Sequence, residues 1–234
     1  MRIAALIASI IVGVGVGSAR AADFPSVPMR APIAAPMFNW TGFYAGIHGG
    51  WGWGDANRTL GVNDALFGSG IGSHEIDGGI FGAHMGFNWQ LSPNWLVGLE
   101  ASIAWSGMDG STSGAAPTSI RTDVDWIASA TPRLGWTSNN WLFYAKGGVA
   151  GARAGTSAVE PTAGVFTAKN SFLGWTVGAG LEVLAGPNWV FGVEYNYYDL
   201  GRETIGGVYS TVLPAAQSAD LKFSTLLARL SYKY

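Results

Sequence analysis

The stretch Trp189-Val190-Phe191-Gly192-Val193-Glu194-Tyr195-Asn196-Tyr197 decides the fold. Large apolar or aromatic residues take every second position, and Gly192, Glu194 and Asn196 fall between them. A period of two belongs to a strand, whose successive side chains point to opposite faces. One face here is apolar and bulky, and the other is small and polar.

Seven other segments share the pattern. Their apolar faces run from Phe43 to Trp53, Phe81 to Trp89, Trp95 to Ile103, Trp126 to Trp136, Trp141 to Val149, Leu173 to Val183, and Leu226 to Tyr234. The opposite faces carry glycine, a few polar residues and about one charge per strand, with Asp125 and Arg133 on that face of the fourth. Pro132 lacks the donor a ladder needs and predicts a bulge there.

The connections alternate in length. Leu91 to Asn94, Thr137 to Asn140 and Ala185 to Asn188 are short and rich in Pro, Asn and Gly, which suit tight turns. The other four are long, at roughly Gly54 to Asp77, Ser106 to Thr122, Arg153 to Asn170 and Asp199 to Asp220. Each short turn ends in an Asn-Trp pair, at Asn94-Trp95, Asn140-Trp141 and Asn188-Trp189, so the tryptophans recur at intervals of 46 and 48 residues. Each repeat is one hairpin with its long loop.

Periodicity alone does not say which face looks outward. Composition does. The chain is 48% hydrophobic and 12% charged, where soluble domains carry roughly 25% charged residues. The polar face is too poor in charge to clothe a soluble barrel. The pattern therefore predicts an eight-stranded antiparallel up-and-down transmembrane β-barrel with its apolar face toward lipid. Trp95, Trp141, Trp189 and Tyr234 then form an interfacial aromatic belt at the short-turn end.

The chain start fits export. Arg2 precedes the uncharged apolar run Ile3 to Val16, and Ala19-Arg20-Ala21 is a small-x-small cleavage site. Residues 1–21 read as a signal peptide, residues 22–39 as a proline-rich periplasmic linker, and residues 40–234 as the outer-membrane barrel. Without Arg2 and Arg20 the chain keeps 11 basic against 15 acidic residues and shows no basic patch, which argues against nucleic acid as a partner. There is no cysteine, hence no disulfide framework or thiolate chemistry.

Glu100, Lys146 and Glu194 each lie five residues beyond a belt tryptophan, and Arg229 lies five before Tyr234. At about 3.3 Å per residue and a tilt near 40°, these positions sit about 13 Å up. An eight-stranded barrel is only wide enough for its own side chains. The expectation is a charge-balanced layer of Glu100, Lys146, Glu194 and Arg229 across the lumen, extended toward the periplasm by Arg133 and Glu182.

Asn39-Trp40-Thr41-Gly42-Phe43-Tyr44-Ala45-Gly46 after an Ala-Ala-Asp proline-rich leader, Gly78-Gly79-Ile80-Phe81-Gly82-Ala83, and the final Leu230-Ser231-Tyr232-Lys233-Tyr234 carry a resemblance over the whole chain. They resemble the small outer-membrane proteins, often called outer-membrane immunogenic proteins, of Brucella, rhizobia and related alphaproteobacteria. The resemblance implies a barrel like the OmpA transmembrane domain, a structural and surface-antigen role in the envelope, and recognition of the terminal aromatic by the barrel-assembly machinery. The family usually ends in Phe; this chain ends in Tyr234. Some relatives are linked to porin-like behaviour or haemin binding, and no motif here carries either over by residue.

Other chemistry is sparse. His48 and His84 fall on the inner faces of neighbouring strands, too few ligands for a metal or haem centre. His74 lies beside Ser73 and Glu75 in the first long loop, without the further partner that a lipid A-modifying enzyme would need. The run Gly49 to Gly54 lacks the Lys and helix of a phosphate loop. The reading is a non-enzymatic barrel without cofactor. Its expected partners are outer-membrane lipid and lipopolysaccharide, with host or surface ligands possible at the long loops. A narrow passive channel is the alternative.

Overall fold

The computed structural model describes residues 38–59, 74–113, 119–160, 164–208 and 214–234. The signal peptide, most of the leader and the centres of the long loops lie outside the described residues. The elements are β1 (Gly42–Thr59), β2 (His74–Gln90), β3 (Trp95–Ser106), β4 (Asp109–Ser113), β5 (Ser119–Ser138), β6 (Trp141–Glu160), β7 (Gly164–Ala185), β8 (Trp189–Val208) and β9 (Pro214–Lys233). Each pairs antiparallel with its neighbours, and β1 pairs with β9, which closes the ring.

The ring has eight staves, because β3 and β4 form one. Gly107 and Met108 interrupt the strand, yet the Gly107 amide donates to the Gly79 carbonyl at 2.8 Å and the Val124 amide to the Met108 carbonyl at 3.0 Å. The ladder to β5 resumes at Asp109↔Asp123.

The outer face is apolar over a defined height. Trp95 and Trp105 on β3 are both exposed and ten residues apart, which is about 25 Å along the barrel axis, the height of a bilayer-spanning apolar band. In register, Trp95 meets Trp136 at the short-turn end and Trp105 meets Trp126 at the other. Trp189 packs edge-on against Tyr232, and Tyr232 against Tyr234, both at 5.2 Å between ring centres.

The three repeated asparagines act as clamps. The side-chain amides of Asn94, Asn140 and Asn188 donate to the carbonyls of Thr137, Leu184 and Lys233, at 2.9, 3.3 and 2.6 Å. Their own carbonyls accept from the amides of the same three residues at 2.7–2.8 Å. Each Asn thus ties its turn to the end of the hairpin that follows. Asn139, in the tightest turn, has φ 54°, a conformation Asn tolerates better than most residues.

Three expectations need correction. The bulge lies between Val124 and Trp126, not at Pro132. Pro132 keeps register with Leu99 on β3; its missing N–H leaves only a gap in the ladder toward β6. Asp125, expected on the inner face, is turned outward by that bulge and meets Lys169 at 2.9 Å. The long connections are shorter than expected, since β1 runs to Thr59, β6 to Glu160 and β8 to Val208. Beyond the bilayer the outer face need not be apolar, so alternation fades while backbone pairing continues.

The interior is layered. Trp40, Leu96, Leu142, Leu184 and Val190 pack at the short-turn end, with Phe38 against them. A second apolar cluster, including Ile76, Met108, Phe172, Leu200 and Phe223, fills the far end. The expected inner face was mostly glycine, with a few polar residues and about one charge per strand; both ends of the lumen are apolar, and the charges lie between.

Candidate functional site

The inner faces of β3, β5, β6, β7, β8 and β9 bring Glu100, Arg133, Lys146, Glu182, Glu194 and Arg229 into one layer, each at most 5% exposed. Period-two alternation aims all six inward, and barrel closure makes them face one another. Three carboxylates meet three cations, so the layer carries no net charge.

Lys146 bridges the acids, donating to Glu100 at 2.9 Å and Glu194 at 2.7 Å. Arg229 donates through Nη1 to Glu100 at 3.1 Å and makes closer contacts to Glu100 and Glu194 through both terminal nitrogens. Arg133 stands 3.5 Å from both Glu100 and Glu182, and Arg229 Nε is 3.5 Å from Glu182. Glu182 Oε1, Arg133 Nη1 and Arg229 Nε make no hydrogen bond; they are held as ion pairs without aligned donors.

Neutral groups complete the layer, and alternation alone did not single them out. Tyr44 donates to Glu100 at 2.9 Å and Tyr144 to Glu194 at 2.6 Å. The Arg133 guanidinium lies over both rings, 4.4 and 5.0 Å from their centres. Asn88 accepts from Arg133 Nε at 2.8 Å, and Asn196 donates to Glu194 at 3.0 Å. The available signal was a tyrosine or asparagine at an inward position of a strand whose other inward residues are mostly small.

Two glycines make room for the tyrosines. A Cβ at Gly86 would strike the Tyr44 hydroxyl, and one at Gly180 would strike the Tyr144 ring. Each ring lies on bare backbone of the adjacent strand.

The two inward histidines of β1 and β2 meet. His48 and His84 share a 3.2 Å Nδ1···Nδ1 hydrogen bond, and His84 Nε2 pairs with Ser231 Oγ at 2.7 Å. Among the described residues no group of three His, Asp or Glu side chains is placed to hold a metal ion. Beside the histidines, Glu100, Glu194, Arg229 and Tyr198 border a cavity of about 10 Å³, room for one water molecule. His74 opens β2 away from this layer in sequence and register, opposite Ala56. Trp95, Trp141, Trp189 and Tyr234 are exposed at the short-turn end.

The layer can fix the relative rotation of the staves and fill the lumen.

The family model described as outer membrane protein beta-barrel domain matches residues 10–234. The 31 kDa outer-membrane immunogenic protein of Brucella melitensis is 31% identical over 229 residues, covering 93% of this chain and 94% of that one. The 22 kDa outer membrane protein of Rhizobium leguminosarum bv. viciae is 32% identical over 170 residues, covering 73% and 68%. Among solved structures, Ail, the attachment invasion locus protein of Yersinia pestis, aligns with a TM-score of 0.45 at 15% identity, covering 83% of this chain and 99% of that one.

Proposed function

This chain belongs to the family of outer-membrane protein β-barrel domains and resides in the outer membrane of a Gram-negative cell, and from that premise we propose that it is a closed, non-catalytic barrel with a structural and surface-presenting role. The observation that carries this reading is the filled lumen. A neutral layer of six charges lies between two apolar clusters, and the cavity beside it holds about 10 Å³. An apolar floor and an apolar ceiling exclude hydrated ions. The charged middle has every cation facing a carboxylate, which is the condition under which buried charge is tolerated.

The orientation we propose puts the short turns, the leader 22–39 and both chain ends in the periplasm. The extended strand ends and long loops then stand outside the cell, where relatives named as immunogenic would present themselves. Tyr234 is the residue we assign to recognition by the assembly machinery, and lipopolysaccharide is the expected neighbour.

Planar-bilayer recording of the refolded mature protein tests the reading. The expected result is a protein that inserts into liposomes but gives no single-channel steps. Steady steps would overturn the closed lumen in favour of a narrow channel. A changed step size in Arg229→Gln would then place the path through the charged layer.

A further inference from the structure

The outer wall has chemistry of its own, and it differs from one side of the barrel to the other. Arg153 on β6 points outward and is exposed, opposite Trp126 on β5 and Ser171 on β7. Among the described residues it forms no ion pair. One step higher on β7, Lys169 is also exposed and outward, opposite Gly155. Asp125 holds the Lys169 ammonium at 2.9 Å, and it faces outward only because of the bulge between Val124 and Trp126. A bulge that re-aims a side chain beside a functional surface is a recurrent device.

Height gives these cations their meaning. Arg153 lies twelve residues beyond Trp141, about 30 Å up the axis, just above an apolar band about 25 Å tall. Directly below it on the same wall are Val149, Leu173 and Trp175, exposed by 60, 74 and 49%. A cation in the hydrocarbon would be costly. At the boundary it meets the headgroups, and a guanidinium fork matches a phosphate with two hydrogen bonds. The same wall carries the Asp123 carboxylate, which lies over Gly155, so Arg121, Arg153 and Lys169 outnumber Asp123 and Asp125 by one, whereas β1 and β2 present the exposed acids Asp55, Glu75 and Asp77 at comparable height, which repel an anion.

We propose that the outer face of β5–β7 is a binding site for one phosphorylated lipid of the outer leaflet. Arg153 and Lys169 take its phosphate, and Val149, Leu173 and Trp175 receive its acyl chains. The site rests on the orientation proposed above but not on whether the lumen conducts.

Native mass spectrometry of the refolded mature protein in detergent micelles tests it. The probes are diphosphoryl lipid A, the same lipid without phosphates, and inorganic phosphate as competitor. One diphosphoryl lipid A should bind at least about tenfold more tightly than the dephosphorylated form. Arg153→Gln combined with Lys169→Gln should abolish that preference, Arg153→Lys should keep part of it, and Lys222→Gln, on β9, should leave it intact. Equal binding of the two lipids, an unchanged double variant, or full displacement by millimolar inorganic phosphate would each overturn the site; the last would reduce it to a simple anion contact. A conducting barrel that kept the lipid preference would sink the closed lumen and leave this site standing.

Discussion

Arg133 and Glu182 inside the barrel stand 3.5 Å apart, and Arg121 and Asp109 on the outer rim stand 3.2 Å apart. The distances are alike, but the surroundings are not. The lumen side chains are 1% and 3% exposed, and the rim side chains 63% and 51%. Water screens the rim pair and solvates each partner if the other is lost. In the lumen no water replaces a missing partner, so the cost lies in breaking the pair rather than in a large gain from forming it. The same two functional groups therefore serve as architecture in one place and as solubility in the other.

The largest effect that would break this comparison is at Arg229. Arg229→Ala removes the cation that contacts Glu100 and Glu194 and leaves the layer one charge negative. The expected loss is about 3–5 kcal/mol, read from urea unfolding of the lipid-refolded barrel and unchanged by added salt. A loss below about 1 kcal/mol would mean a solvated layer, and the contrast with the rim would vanish. Asn140→Ala sits in the middle of the scale. It removes one clamp onto Leu184 and should cost about 1 kcal/mol, the usual worth of a hydrogen bond; a loss as large as that of Arg229→Ala would shift the main restraint from the lumen to the turns. Arg121→Ala is the smallest, a few tenths of a kcal/mol at low salt and nothing measurable at high salt. A larger, salt-resistant effect would show that the rim is as dry as the lumen.

Legibility in the sequence followed the lipid. Where a strand crosses the bilayer its outer face must be apolar, so the period of two is written plainly, as in Trp189 to Tyr197. Above the bilayer that demand lapses. The upper part of β6, Gly155 to Glu160, pairs fully with β7 but shows no alternation and reads as loop. The bulge was misplaced for a related reason. Proline announces a missing donor, whereas Asp125 announces nothing, because the extra residue there is set by the need to keep both Val124 and Ile127 inward, where they are 1% and 4% exposed. Four of the lumen charges could be named from their spacing to the aromatic belt, and Arg133 and Glu182 from alternation. Their partners could not, because they depend on how staves distant in sequence are offset around the ring. Trp40 was legible as a boundary but not as an apolar plug, since a single residue before the first strand has no period to read.

The pairing of β1 with β9 has a consequence in time. It joins Tyr44 to Lys233, and the Tyr234 amide reaches the Phe43 carbonyl at 2.9 Å. Every other seam can form between neighbours in sequence, while this one must bring together chain segments nearly two hundred residues apart. By loop-closure entropy that step is harder than closing a four-residue turn by about 3 kcal/mol. Until it happens, β1 offers an unpaired edge to any passing strand. The first strand made is thus the last to be completed, and β9 completes it. A copy lacking β9 would be left with an open edge and no seam to close it, which ties successful assembly to the arrival of an intact β9.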